Sequence, residues 1–305
     1  MEGKPGVMFV AGGGRLPLER LLEEAWQVRC RNFDHRVEFV RPTATRAVSV
    51  TGTACALNCA HCGGHFLRGM LPLTRLMERW QKGEELPWSS LLISGGCDPE
   101  GVVPVTSHLG QLRELAARFK LNLHPGLVDG EAARCIGQVA SAVSFDFILD
   151  GDTIAEVLGL PYGPQDYLRV YRHLRRYNRV FPHLVVGLRG GRLSGEYRVL
   201  EALVELGAEA LVVIVFFPVP GTAYGGCQPP TLEEVARLLA TARIMLPRMP
   251  IYLGCMRPAG SYRARLDALA VKAGVNRLVL PAPPALELAR ELGLEVGWRW
   301  ECCVL

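Results

Sequence analysis

Val48-Ser49-Val50-Thr51-Gly52-Thr53-Ala54-Cys55-Ala56-Leu57-Asn58-Cys59-Ala60-His61-Cys62 is the stretch on which the reading of this 305-residue chain turns. Its β-branched start, Val48 to Thr51, predicts a strand, and the cysteines that follow at C-x3-C-x2-C spacing stand on the loop at that strand's end. Three thiolates on one tight loop can hold three corners of a cubane iron–sulfur cluster and leave the fourth iron open to a chelating ligand. A structural zinc site and three unrelated buried cysteines are the plainer alternatives. Zinc sites pair C-x2-C knuckles and add a fourth protein ligand, and no second knuckle follows. The spacing therefore favours an iron–sulfur cluster on Cys55, Cys59 and Cys62.

Outward from this loop, strands and helices alternate. Leu91-Leu92-Ile93-Ser94, Leu121-Asn122-Leu123-His124, Ala142 to Ile148, His183 to Leu188, Leu211 to Phe217, Ile251 to Gly254 and Arg277 to Leu280 are short apolar runs of the kind buried in parallel sheets. Between them lie helical patterns at Leu109–Phe119, from Tyr167 to Leu174 and from Gly195 to a Gly207 C-cap. Another opens on a Thr231/Glu234 capping box, and the last spans about Ala285 to Leu292. Eight β-then-α units predict a (β/α)8 TIM-type barrel over residues 46–293. An open doubly wound sheet is less favoured, because no G-x-G-x-x-G follows the first strand. Leu18, Leu21, Leu22, Ala25 and Trp26 predict a helix within an N-terminal lead-in, residues 1–45. Residues 294–305 read as a short cysteine-containing C-terminal tail.

Composition narrows the class of function. Hydrophobic residues make up 49% and charged residues 21%, ample for one large core. The net charge of +4 is spread along the chain rather than gathered in a run, which argues against nucleic-acid binding. Ten cysteines in a chain this long do not suit a secreted disulfide scaffold. The apolar run Val7-Met8-Phe9-Val10-Ala11 is too short for a signal core or a membrane span. Gly12-Gly13-Gly14 lacks the Gly-Lys-Ser/Thr of a phosphate loop and reads as a flexible lead-in. A soluble, cytoplasmic, oxygen-sensitive protein without membrane association is expected.

The cysteine loop resembles that of the radical S-adenosylmethionine (radical SAM) superfamily, with His61 where those proteins usually carry an aromatic residue. The resemblance implies a [4Fe-4S] cluster whose open iron chelates SAM, and reductive cleavage of SAM to a 5′-deoxyadenosyl radical. Strand C-terminal ends then carry the site. Gly95-Gly96-Cys97-Asp98 stands where the superfamily often has Gly-Gly-Glu, which holds the SAM amino group; Cys97 and Asp98 replace the Glu, and close backbone approach by Gly95 and Gly96 is the safer expectation. His124 and Asp146, at the ends of the third and fourth strands, are candidates for SAM or substrate contact, and Arg189 could reach a carboxylate. His183, at the start of its predicted strand, reads as structural.

Gly254-Cys255-Met256-Arg257-Pro258 would present Cys255 and Arg257 to the mouth. Cys97, Cys255 and Arg257 are the candidate catalytic residues. Cys97 and Cys255, together with Cys302 or Cys303 from a tail folded over the mouth, would bind an auxiliary iron–sulfur cluster. Pro220-Gly221-Thr222 and the Gly187 to Gly191 region add to a similarity with biotin-synthase-like proteins over nearly the whole chain. Ser94 to Asp98 and Gly254 to Pro258 look like the subgroup that includes the two-component lipoyl synthases. That similarity implies sulfur insertion into an octanoyl chain on a carrier protein or peptide, a second related radical SAM subunit, and a ferredoxin- or flavodoxin-type electron donor. A different sulfur acceptor, a methylornithine-type rearrangement, or a non-catalytic iron–sulfur protein are the alternatives.

Overall fold

The computed structural model describes residues 16–305; the Val7–Ala11 and Gly12–Gly14 runs lie outside them. Eleven strands form one all-parallel sheet: β1 Arg36–Val40, β2 Thr45–Ser49, β3 Leu71–Pro72, β4 Ser90–Ser94, β5 Lys120–Leu123 and β6 Ala142–Asp146, then β7 Val180–Val186, β8 Leu211–Val215, β9 Ile251–Leu253, β10 Arg277–Val279 and β11 Glu295–Arg299. The spatial order is β11-β1-β10-β9-β8-β7-β6-β5-β4-β2-β3. All eight expected strands are present in a curved α/β barrel of the TIM type, with helices outside. β1, β3 and β11 are additional, and the two edges β11 and β3 do not pair with each other.

The helices are α1 Leu18–Asn32, α2 Leu73–Gln81, α3 Leu109–Ala116, α4 Gly130–Ile136, α5 Gly151–Thr153, α6 Pro164–Arg175, α7 Glu196–Leu206, α8 Leu232–Met245, α9 Gly260–Lys272 and α10 Pro283–Glu291. Pattern reading outlines six of these and sets no bounds for α2, α4, α5 and α9. Alternation along each strand divides the molecule into an outer core and a lumen. On β6, Phe145 stacks on Tyr171 of α6, so Val143 and Phe145 face the helices and Ala142, Ser144 and Asp146 face inward. β8 is apolar on both faces: Val213 is fully buried in the outer core, and Val212 joins a smaller inward cluster. Burying one such side chain contributes about 1.5–3 kcal/mol.

That inward cluster corrects the expected position of residues 294–305. β11 pairs along β1, and the chain after it crosses beneath the barrel to the start of β2. The Ala44 N–H donates to the Trp300 carbonyl at 2.8 Å, and the Cys302 N–H donates to Thr45 Oγ1 at 2.7 Å. Glu301 takes hydrogen bonds from Ser89 and Lys120, beside the starts of β4 and β5. Cys303 and Val304 pack on Val40, Ala142, Phe181, Ala210, Val212 and Val279. The segment closes the floor, at the opposite end from the mouth, because backbone pairing to β1 fixes where it leaves the sheet.

Candidate active site

The cysteine loop is shaped before any side chain of the barrel touches it. Ser49 Oγ donates to the Gly52 carbonyl at 2.7 Å, and Thr51 Oγ1 donates to the Ala54 carbonyl at 2.9 Å. The Gly96 N–H donates to that same Thr51 hydroxyl at 2.7 Å, and the Ala56 N–H to the Cys97 carbonyl at 2.8 Å. A Cβ on Gly96 would stand 2.0 Å from the Ala54 carbonyl oxygen and 2.6 Å from Cys55 Cα. Gly96 is therefore needed for the cysteine loop itself to pass the end of β4, a more specific reason than approach to a ligand. On the far side, the Ala60 N–H donates to the Val157 carbonyl and the Tyr224 N–H to the Ala60 carbonyl, at 2.8 and 2.9 Å.

Val157 belongs to a π-helical turn, Ile154–Leu158, of a kind that recurs at functional sites. Its Glu156 carboxylate accepts from the Tyr224 hydroxyl at 2.5 Å and from Arg189 Nε at 2.6 Å. Arg189 also pairs with Asp152 at 3.0 Å. Its guanidinium is spent bracing the turn that holds the cysteine loop, a positioning role rather than the expected carboxylate contact.

Cys59, His61 and Cys62 have ligand atoms within 4.8 Å of one another, the one such trio among the described residues. Cys59 is buried, and Cys55 and Cys62 are half-buried. The Cys59 thiol hydrogen-bonds to Cys62, lowering Cys62 well below the ordinary thiol range, with His61 and the Gly64 N–H adding to the effect. The same bond holds Cys59 above that range. His61 Nδ1 is buried without a hydrogen-bond partner among the described residues. Three thiol donors on a braced loop, one already inclined to ionise, with an unmatched polar atom beside them, fit an iron–sulfur cluster.

Cys97 lies beside this loop: burial first, then the neighbouring Cys55, Asp146, Asp98 and Cys62, push its thiol up to about 12. It belongs to the first cysteine group and not, as expected, to a second one with Cys255. Cys255 is exposed, while Cys302 is half-buried and Cys303 buried at the floor. Desolvation by the barrel around it raises Cys255 even though its surface is open, and Cys302 adds to that, so those two lie within electrostatic reach of each other. Asp98 shapes its own loop: its Oδ1 accepts from the Glu100 and Val102 N–H groups at 3.0 and 2.8 Å. Gly95 packs tightly under Thr51, Val50 and Val103.

Arg257 is corrected most firmly. It is 2% exposed, and Nε and Nη2 grip the two oxygens of fully buried Asp267 on α9 at 2.7 and 2.9 Å. Its remaining donors go to the carbonyls of Gly254, Val279 and Leu280. The guanidinium ties β9 and β10 to α9 and offers nothing to a ligand at the mouth.

His124 and Asp146 do come together, with His124 Nε2 3.5 Å from Asp146 Oδ2. His183, expected to be structural, stacks on the His124 ring with centroids 6.0 Å apart. Burial alone would lower His124, but the Asp146 carboxylate more than offsets it and the net shift is upward. Against the desolvation that comes with its depth in the barrel, Asp146, open to the lumen, is held at about 2 by His124, with His183 and His61 adding to the effect. Burial drops His183 to about 4. Reading β7 from Val180 instead of His183 would have revealed this: His183 pairs in register with Asp146 and shares its inward face.

A parallel α/β barrel with three cysteines on its first long strand-to-helix loop thus defines the class of architecture. Comparison with known proteins extends this. No protein-family model matches the chain. An uncharacterized protein of Methanopyrus kandleri is 32% identical over 135 residues, 41% of this chain and 26% of that protein, so the match spans about a quarter of that relative's length. Among solved structures, methylornithine synthase (PylB) aligns with TM-score 0.64 at 15% identity over 92% of this chain and 89% of its own. HydG, a maturase of the [FeFe]-hydrogenase, aligns with TM-score 0.65 at 15% identity over 92% and 68%. Streptococcus suis SuiB, solved bound to S-adenosylmethionine, gives 0.51 at 15% identity over 81% and 58%. At these identities the likeness establishes a shared barrel fold.

Proposed function

We propose that this chain is a radical SAM enzyme. The observation that carries the reading is the C-x3-C-x2-C loop, pinned at the barrel mouth by Thr51, Gly96, Val157 and Tyr224. Cys55, Cys59 and Cys62 would hold a [4Fe-4S] cluster, with SAM as the ligand of its open iron beside His61. When bound, the cluster supplies the electron that cleaves SAM to a 5′-deoxyadenosyl radical. The protein's own part is to orient the substrate in the lumen and keep water from the mouth, while Arg189, Glu156 and Tyr224 keep the loop rigid.

The finer reading is sulfur insertion into a protein-bound octanoyl chain, as in two-component lipoyl synthases, in the cytoplasm. A partner radical SAM subunit and a ferredoxin- or flavodoxin-type donor complete this proposal. It is supported by the Ser94–Asp98 and Gly254–Pro258 motifs and by Cys255, Cys302 and Cys303, which could hold an auxiliary cluster as sulfur donor. Among the described residues, no helix is long and apolar enough to cross a membrane. A rearrangement of a small polar substrate is the second reading, favoured by the His124–Asp146–His183 wall, and it needs no auxiliary cluster. Sulfide counting on the Cys55/Cys59/Cys62 triple alanine variant separates the two: residual iron and sulfide support the auxiliary cluster, and none removes it.

A further inference from the structure

The lumen has two unlike walls. β5, β6 and β7 present Asn122, His124, Ser144, Asp146 and His183, whereas β8 and β9 present Val212, Ile214 and Tyr252. Low on the polar wall, the groups satisfy one another: Ser144 Oγ donates to Asn122 Oδ1 at 3.0 Å, and Asn122 Nδ2 donates to Cys302 Sγ at 3.7 Å. Higher up they do not. Asp146 has its side chain 45% exposed to the lumen, and only Oδ2 faces His124. Its Oδ1 has no hydrogen-bond partner among the described residues.

His183 is equally definite. Its Nδ1 lies 3.0 Å from the Phe181 carbonyl, which can only accept, so Nδ1 carries the proton and Nε2 of the neutral ring is an acceptor. Asp146 Oδ1 and His183 Nε2 are therefore two acceptors on one inward face, on residues paired directly across β6 and β7. His124, whose Nε2 stands 3.5 Å from Asp146 Oδ2 and so turns its N–H to that side, is the donor beside them. Two acceptors and one donor match an N–H group adjoining a carbonyl or carboxylate oxygen. They repel a bare carboxylate and give a plain alkyl chain nothing to hold.

We propose that His124, Asp146 and His183 anchor the substrate by an N–H donor that adjoins an oxygen acceptor, with the rest of the substrate lying against Val212 and Ile214. The N–H belongs either to an amide that links an acyl chain to a lysine or to the ammonium of a free amino acid. The inference rests on the barrel mouth being the reaction site, and it names what the lumen selects.

The test uses the full chain, anaerobically reconstituted with iron and sulfide and saturated with SAM. Calorimetric titration compares an Nε-octanoyl-lysine peptide, free L-lysine and octanoate. One N–H-bearing probe binds and octanoate does not. Octanoyl-lysine binding assigns the amide, and lysine binding assigns the ammonium. Asp146→Asn weakens the bound probe about tenfold or more, the size of one lost charge-assisted hydrogen bond. His183→Gln is the second variant, and thermal unfolding of both establishes that they are folded. Octanoate binding as tightly as octanoyl-lysine, neither N–H probe binding, or both variants binding within twofold of wild type overturns the proposal. Failure of the radical SAM reading shows separately, as wild-type protein that forms no 5′-deoxyadenosine.

Discussion

At the mouth, Cys55, Cys59 and Cys62 lie on one loop whose shape comes from hydrogen bonds of neighbouring residues, Ser49 to Gly52 and Thr51 to Ala54. At the floor, Cys302 and Cys303 reach their places because β11 pairs with β1 and the chain then crosses to Thr45. The first arrangement is local and carries its own chemical spacing. The second is made by tertiary pairing, and its cysteines face residues more than a hundred positions away, such as Asn122. Spacing is informative only in the first case.

The largest effect expected from disturbing the mouth is that of Cys59→Ala. It removes the buried cysteine of the proposed mouth cluster, and iron bound after reconstitution falls to the level of the Cys55/Cys59/Cys62 triple alanine variant while circular dichroism is unchanged. Gly96→Ala should come close to this without touching a ligand. The added methyl meets the Ala54 carbonyl at 2.0 Å, so the loop shifts and iron content drops severalfold, measurable by iron analysis on folded protein. Retention of full iron by Gly96→Ala would show that the loop adapts and that the contrast with the floor is weaker than drawn.

Arg257→Ala separates wall from site. It leaves Asp267 charged, fully buried and unpaired, at a cost of about 3–5 kcal/mol. Urea unfolding should report that loss while bound iron per folded molecule stays at the wild-type level. The smallest effect lies in the lumen. Asp146, held at about 2 against an ordinary 3.8, contributes stability that is present above pH 3.8 and lost as pH falls toward 2. His124, raised above 6.5, contributes stability that is present below 6.5 and lost as pH rises through its raised value. Asp146→Asn removes the main opposition to burial, so the His124 titration moves to lower pH, readable by NMR.

How much of this was legible in the sequence follows from the same contrast. The eight central strands and the cysteine loop could be read because apolar runs and ligand spacing are local signals. Arg257 was misread as a mouth residue because its partner Asp267 stands on α9, which no strong periodicity announced. His183 was missed because β7 begins three residues earlier than its apolar run suggests, with Pro182 inside it. The role of Cys302 and Cys303 depended on β11, a strand of Glu295, Val296, Gly297, Trp298 and Arg299 too mixed in character to declare itself.

The central claim is that the mouth loop makes this barrel a radical SAM enzyme. The most direct measurement is anaerobic incubation of the reconstituted chain with SAM and dithionite, followed by chromatography for 5′-deoxyadenosine, with Cys59→Ala in parallel. The account predicts 5′-deoxyadenosine from the wild type and none from the variant. Wild-type protein that holds a full [4Fe-4S] complement on these cysteines yet leaves SAM intact would contradict it.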